Sequence, residues 1–185
     1  MITKKKNLKQ CLFIVLMIIS FGLENSFSQT KTLPMKFQYQ NTDRWCWASS
    51  IAMLVNYYQN TSYKDCDILS YYFNKYCCYS PESCYRGGYP NEIDYIINNF
   101  IGYYIGKYNR ALQFSEIKNK INSGNPIIAW LWNSPTAAHL VVITGYDVNS
   151  SSVLVFDPIA GVNWRDYLSF TSNSTTGYWG ISYCF

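Results

Sequence analysis

Cys46 lies between two tryptophans in the stretch RWCW, and the small residues Ala48, Ser49 and Ser50 follow it closely. A structural cysteine behaves as a small hydrophobe and asks nothing of its flanks. A nucleophilic thiolate is favoured by a helix N-terminus or a nearby imidazolium. The chain has one histidine, His139, so any Cys/His chemistry must use it. A third group should orient the imidazole, and two aspartates compete for that place. Asp147 is eight residues along the same strand, at ~3.3 Å per residue roughly 26 Å away, which excludes it. Asp157 ends the next strand, beyond the turn signals at Asn149 to Ser152, so a hairpin brings it back opposite or diagonally across from His139.

Acyl transfer also needs hydrogen-bond donors aimed at the oxygen where negative charge develops. The backbone N–H of Cys46 is one, provided a helix starts there. Gln40 and Gln38 are the two side-chain candidates for a second.

These residues need elements to hold them. From Cys46 to Tyr58, apolar positions at Trp47, Ile51, Leu54, Val55 and Tyr58 mark one helical face, with Thr42 or Asp43 as N-cap. A cysteine-rich loop follows, carrying Cys66, Cys77, Cys78 and Cys84 and closed by RGGYP. Helices are then predicted over Asn91 to Phe100 and Phe114 to Asn122. The period next changes to two, giving strands over Pro126 to Trp132, His139 to Asp147 and Ser152 to Asp157, and a last one in GYWGISYCF. Helices first and an antiparallel sheet second make an α+β domain in two halves, with a cleft where they meet. Trp47 is assigned to anchoring the first helix in the core, and Trp45, with Gln40, to one wall of the cleft. Trp130 and Trp132 fit either the core or the cleft.

The chain opens with Lys4, Lys5, Lys6 and Lys9, an apolar run from Cys11 to Leu23, and small residues at Ser26 and Ser28. This is a signal-peptide pattern over residues 1–28, too short in its apolar part to span a bilayer. Residues 29–185 are then one exported domain, secreted or periplasmic and without stable membrane association. Most of the formal net charge of +4 comes from the leader lysines, which leaves the rest nearly neutral and without a footprint for nucleic acid. In an oxidising compartment the four loop cysteines favour two disulfides over zinc. A bond between neighbours Cys77 and Cys78 is sterically disfavoured, so each should pair with Cys66 or Cys84. Cys184 is left free or paired elsewhere. Neither a metal nor a cofactor is expected, and the protein is expected to act as a monomer.

Gln40 to Ala48 (QNTDRWCWA), Ala138 to Asp147 (AHLVVITGYD) and Val155 to Pro158 (VFDP) together resemble the papain-like cysteine proteases. The nearest branch is the compact bacterial group of AvrRpt2-type and C39-like peptidases. The resemblance covers most of the chain after the leader, although the interval from Cys46 to His139 is shorter than the roughly 130 to 150 residues of larger relatives. It implies a two-lobed fold, with Cys46 on a helical half and His139 and Asp157 on a β half. It makes Cys46 the nucleophile, His139 the base, Asp157 the orienting group and Gln40 the oxyanion donor. The implied reaction is hydrolysis of a peptide or protein substrate through a thioester. Acyl transfer or amidase chemistry at the same site, and a non-catalytic binding module, are the alternatives.

Overall fold

The computed structural model describes residues 29–102, 106–134, 137–172 and 178–185. The leader assigned to residues 1–28 lies outside them. The first helix, α1 (Cys46–Gln59), is buried on every side from Cys46 to Val55. A helix that is apolar all round belongs in the middle of a core, and α1 packs against helix α2 (Asp65–Phe73), helix α3 (Pro90–Ile101) and a sheet strand. Asn60 and Asn74 end α1 and α2 in the left-handed conformation, at φ 52° and 50°, a conformation asparagine tolerates better than most residues. Pro90 opens α3, where its missing N–H costs nothing, and Glu92 accepts the N–H of Tyr89 at 2.8 Å.

Helix α4 (Phe114–Asn122) leads into an antiparallel sheet. Its strands are β1 (Thr30–Thr32), β2 (Gly106–Tyr108), β3 (Ile127–Ser134), β4 (Ala137–Asp147), β5 (Ser152–Asp157), β6 (Gly161–Asp166) and β7 (Tyr178–Cys184), with a short helix α5 (Tyr167–Ser172) after β6. The sheet order is β2-β7-β3-β4-β5-β6, and β1 pairs with the far end of β4. Helix α1 packs on β4, so the cysteine helix and the histidine strand are direct neighbours. Gly145 is where β1 crosses β4: a Cβ there would stand 2.7 Å from the Lys31 carbonyl.

The helices and strands expected over 46–58, 91–100, 114–122, 126–132, 139–147, 152–157 and 177–185 are all present, shifted by at most a few residues at their ends. The cysteine-rich segment is more ordered than a loop. Cys66 sits in the first turn of α2, and Pro81–Cys84 form a 3-10 helix. Disulfides join Cys66 to Cys78 and Cys77 to Cys84, so each of the two adjacent cysteines reaches away from the other. Asp67 lies 3.3 Å from the Cys78 sulfur, but both sulfurs of that cluster are in the disulfide and neither is a thiolate ligand. Cys184 is free and buried, paired through its backbone with Gly106 and Ile127. Among the described residues no helix is long and apolar enough to cross a membrane.

Candidate active site

Cys46 is the first residue of α1 and 8% exposed. The expected cap is absent: neither Thr42 nor Asp43 bonds the helix start, and no side chain caps it. Instead the Thr42 carbonyl accepts the Trp45 N–H at 3.2 Å, and the Asp43 carboxylate accepts the Tyr85 hydroxyl at 2.5 Å. An uncapped helix start leaves its first N–H groups without intrahelical partners, beside the sulfur.

Two adjacent serines fix this helix from opposite sides. Ser49 Oγ donates to Asp65 on α2 at 3.1 Å, and Ser50 Oγ donates to the carbonyl of Leu140, the residue after His139, at 3.2 Å. The second bond ties the thiol's helix directly to the imidazole's strand. Sequence reading registered both serines only as small residues.

His139 Nε2 lies 2.7 Å from Asp157 Oδ1, and Cys46 lines the same cavity as the imidazole, close enough to raise its basicity. The β4–β5 register pairs Val142 with Phe156, which sets Asp157 diagonally across from His139. Asp147, by contrast, turns its carboxylate to the N–H groups of Asn149 and Ser150 in the hairpin. Asp157 Oδ1 accepts two further bonds, from the N–H of Ile159 at 2.9 Å and of Ala160 at 3.1 Å. Its Oδ2 accepts from Arg165 Nη2 at 2.8 Å. Arg165 was not foreseen, because its strand β6 was not recognised. The alternation of buried and polar positions in that strand is weak, since most of it is exposed.

The charges follow from these contacts. Burial alone would lower the basicity of His139, but the bond to Asp157 and the partnership with Cys46 outweigh it and raise its pKa to about 9. Burial likewise opposes ionisation of Asp157, yet His139 and the two backbone donors hold its carboxyl well below the usual range. At neutral pH the site therefore contains an imidazolium against an aspartate. Since the folded pKa of His139 exceeds the unfolded one, its stabilising effect is complete below about 6.5 and is lost as pH rises through about 9.

Two cavities meet at Cys46. One, of about 410 Å³, is lined by His139, Asp157, Arg165, Asn133 and Asp43. The other, of about 710 Å³, is walled by Trp47, Trp130, Trp132, Gly88, Tyr89 and Pro90. A Cβ on Gly88 would stand 2.4 Å from the Trp47 ring, so only glycine lets the RGG segment close over that indole. Arg86 holds the segment through a bidentate bond to the largely buried Glu92.

Of the two flanking tryptophans, Trp47 lies in the core as expected, whereas Trp45 does not wall the cleft. Trp45 is fully buried and donates from Nε1 to the Cys84 carbonyl at 3.1 Å, so it anchors the start of α1 to the disulfide-bonded segment. Trp47, also buried, is the one whose ring reaches the cleft. Residues 45 and 47 are about 200° apart on a helix. Both are buried, Trp45 against the disulfide-bonded segment and Trp47 against Tyr72 and Phe73. Gln40 donates its side-chain amide to the Thr42 carbonyl at 2.6 Å, its Oε1 is buried without a partner, and it lines neither cavity. Gln38 donates to the Ser49 carbonyl at 3.4 Å.

The Peptidase_C39 like family matches residues 32–183. A chain described as a C39-like peptidase from Bacillus anthracis superposes with a TM-score of 0.56 at 13% identity, over 84% of this chain and 97% of that one. The peptidase domain of Streptococcus ComA, a bifunctional ABC transporter of a quorum-sensing pathway, gives 0.56 at 13% identity over 80% and 95%. A double-glycine-motif protease from an AMS/PCAT transporter, in complex with its leader peptide, gives 0.55 at 18% identity over 83% and 91%. No curated protein sequence matches the chain significantly.

Proposed function

The chain belongs to the Peptidase C39-like family, and from that premise we propose that it is a cysteine endopeptidase acting through a thioester on Cys46. The observation that carries the reading is the meeting of Cys46, His139 and Asp157 at the junction of two cavities, with the imidazole bonded to the aspartate and beside the thiol. In the proposed reaction the Cys46 thiolate attacks the scissile carbonyl. The backbone N–H of Cys46 and the amide of Gln40 bind the resulting oxyanion, the glutamine exchanging its bond to Thr42 for this one. The C–N bond breaks as His139 passes its proton to the leaving amine. Neutral His139 then takes a proton from water, the hydroxide attacks the thioester, and the C–S bond breaks to release the acid and regenerate the thiolate and imidazolium. His139 lines only the smaller cavity, so the leaving-amine side of the substrate belongs there and the acyl side in the aromatic cavity.

We assign residues 1–28 to a leader removed on export and residues 29–185 to one catalytic domain, working as a monomer on a peptide or protein outside the cytoplasm. The two disulfides accord with an oxidising compartment. Relatives whose names mention leader peptides or peptidase domains favour a peptide substrate over the acyl-transfer alternative.

The test pairs a peptide library with a small haloacetamide at neutral pH. Peptide cleavage and rapid labelling of Cys46 are expected, with loss of cleavage in proportion to labelling. Cys184 should stay unlabelled, because burial pushes its thiol up to about 11. Cleavage that persists after Cys46 is fully alkylated removes the proposal, and slow labelling without any cleavage returns the binding-module alternative.

The pH profile is a separate check. Leaving-group protonation needs the imidazolium, so kcat/KM should fall as pH rises through about 9. Asp157→Asn removes the strongest contribution raising that value and should move the alkaline limb to lower pH. An alkaline limb indifferent to this substitution would mean that some group other than His139 sets it.

A further inference from the structure

The segment that carries Gln40 is gripped from two sides. The Gln40 N–H donates to the carbonyl of Pro158, the residue after Asp157, at 3.1 Å. One residue on, the Asn41 N–H donates to Asp65 Oδ2 at 2.7 Å, and the Asn41 side-chain amide donates to Asp65 Oδ1. Asp65 opens α2 and is 1% exposed. Its Oδ2 also accepts the Ser49 hydroxyl at 3.1 Å, one turn along α1 from Cys46, and its Oδ1 accepts the Cys66 N–H at 2.8 Å.

Four donors therefore converge on one buried carboxylate, and no cation pairs with it among the described residues. Burying a carboxylate is costly unless its lone pairs are filled. A residue required only to start a helix or fill volume has no need of that charge. An ionised carboxylate does have one property a neutral amide lacks: both oxygens accept at once, so it can hold Asn41 by two bonds while also holding Ser49. That links the glutamine's segment to the cysteine's helix through a single rigid group.

The geometry points to Asp65 as a positioning residue that fixes the Gln40 segment against the start of α1, so that the glutamine amide reaches the oxyanion formed at Cys46. Asp65 lines neither cavity at Cys46 and acts only through Gln40. The inference rests on the oxyanion role proposed above for Gln40.

Asp65→Asn keeps the shape but turns a donor toward groups that are themselves donors. It is expected to lower kcat for peptide hydrolysis about tenfold or more with KM changed less than about twofold, while haloacetamide alkylation of Cys46 proceeds within about twofold of the normal rate. In a Gln40→Ala background the same substitution should cost less than about twofold, since the group it positions is gone. Hydrogen exchange at the amides of residues 40–42 should quicken about tenfold. Asn41→Ala, which removes only the surface end of the clasp, should show the same pattern at smaller size and covers the case in which Asp65→Asn fails to fold. Additive losses with Gln40→Ala, parallel falls in alkylation and hydrolysis, or unchanged exchange at residues 40–42 each overturn the assignment. If the unmodified protein cleaves no peptide, it is the proteolytic reading that fails, and the exchange measurement still decides the role of Asp65.

Discussion

Cys46→Ala and His139→Ala should each reduce peptide hydrolysis on the order of 10⁵-fold or more, and the double variant should be no worse than either alone, because a nucleophile and its base act as a unit. The fold should survive both. Cys46→Ala deletes one sulfur from a helix otherwise fixed by Trp45, Ser49 and Ser50, and His139 sits toward the mouth of β4, ahead of that strand's fully buried run. Circular dichroism and the denaturation midpoint separate loss of chemistry from loss of structure. Substantial hydrolysis by folded Cys46→Ala would end the thioester mechanism. Hydrolysis lost in Cys46→Ala but retained in His139→Ala would keep the nucleophile and assign the proton transfers elsewhere.

How much of this was legible beforehand depended on how local each signal is. The helix over Cys46 and the strands carrying His139 and Asp157 announce themselves by period, because each buries a continuous face. The pairing of Asp157 with His139 followed from a hairpin turn between two such strands. Arg165 was missed because its strand is an exposed edge with little apolar pattern. Asp65, Ser49 and Ser50 were missed for another reason: the partners that tie them into the site lie 16 to 90 positions away in the chain, and a serine that bonds a distant group looks like any other serine. The misplacement of Trp45 has the same origin. Its indole is held by the disulfide-bonded segment, whose Cys84 carbonyl receives it, and no local spacing encodes that contact.

Gln40→Ala offers the sharpest division between forming the nucleophile and stabilising the transition state. The groups beside the sulfur, the uncapped start of α1 and His139, do not involve this side chain. Alkylation, which builds no oxyanion, should therefore proceed at nearly the normal rate. Peptide hydrolysis passes through a tetrahedral oxyanion and should fall roughly 10² to 10³-fold, the usual cost of one such donor. In the free protein the Gln40 amide rests on the Thr42 carbonyl while its own oxygen is buried without a partner, so the side chain has little holding it beyond one bond. Exchanging that bond for a stronger one to an anion is favourable, since charge-assisted hydrogen bonds are roughly twice as strong as neutral ones. Gln38 serves as the control. Its amide meets the Ser49 carbonyl at 3.4 Å, a long contact on the helix itself, so Gln38→Ala should leave alkylation and hydrolysis nearly unchanged. If Gln38→Ala cripples hydrolysis and Gln40→Ala does not, the donor is the earlier glutamine, and the Asp65 clasp then holds a segment with no part in the chemistry.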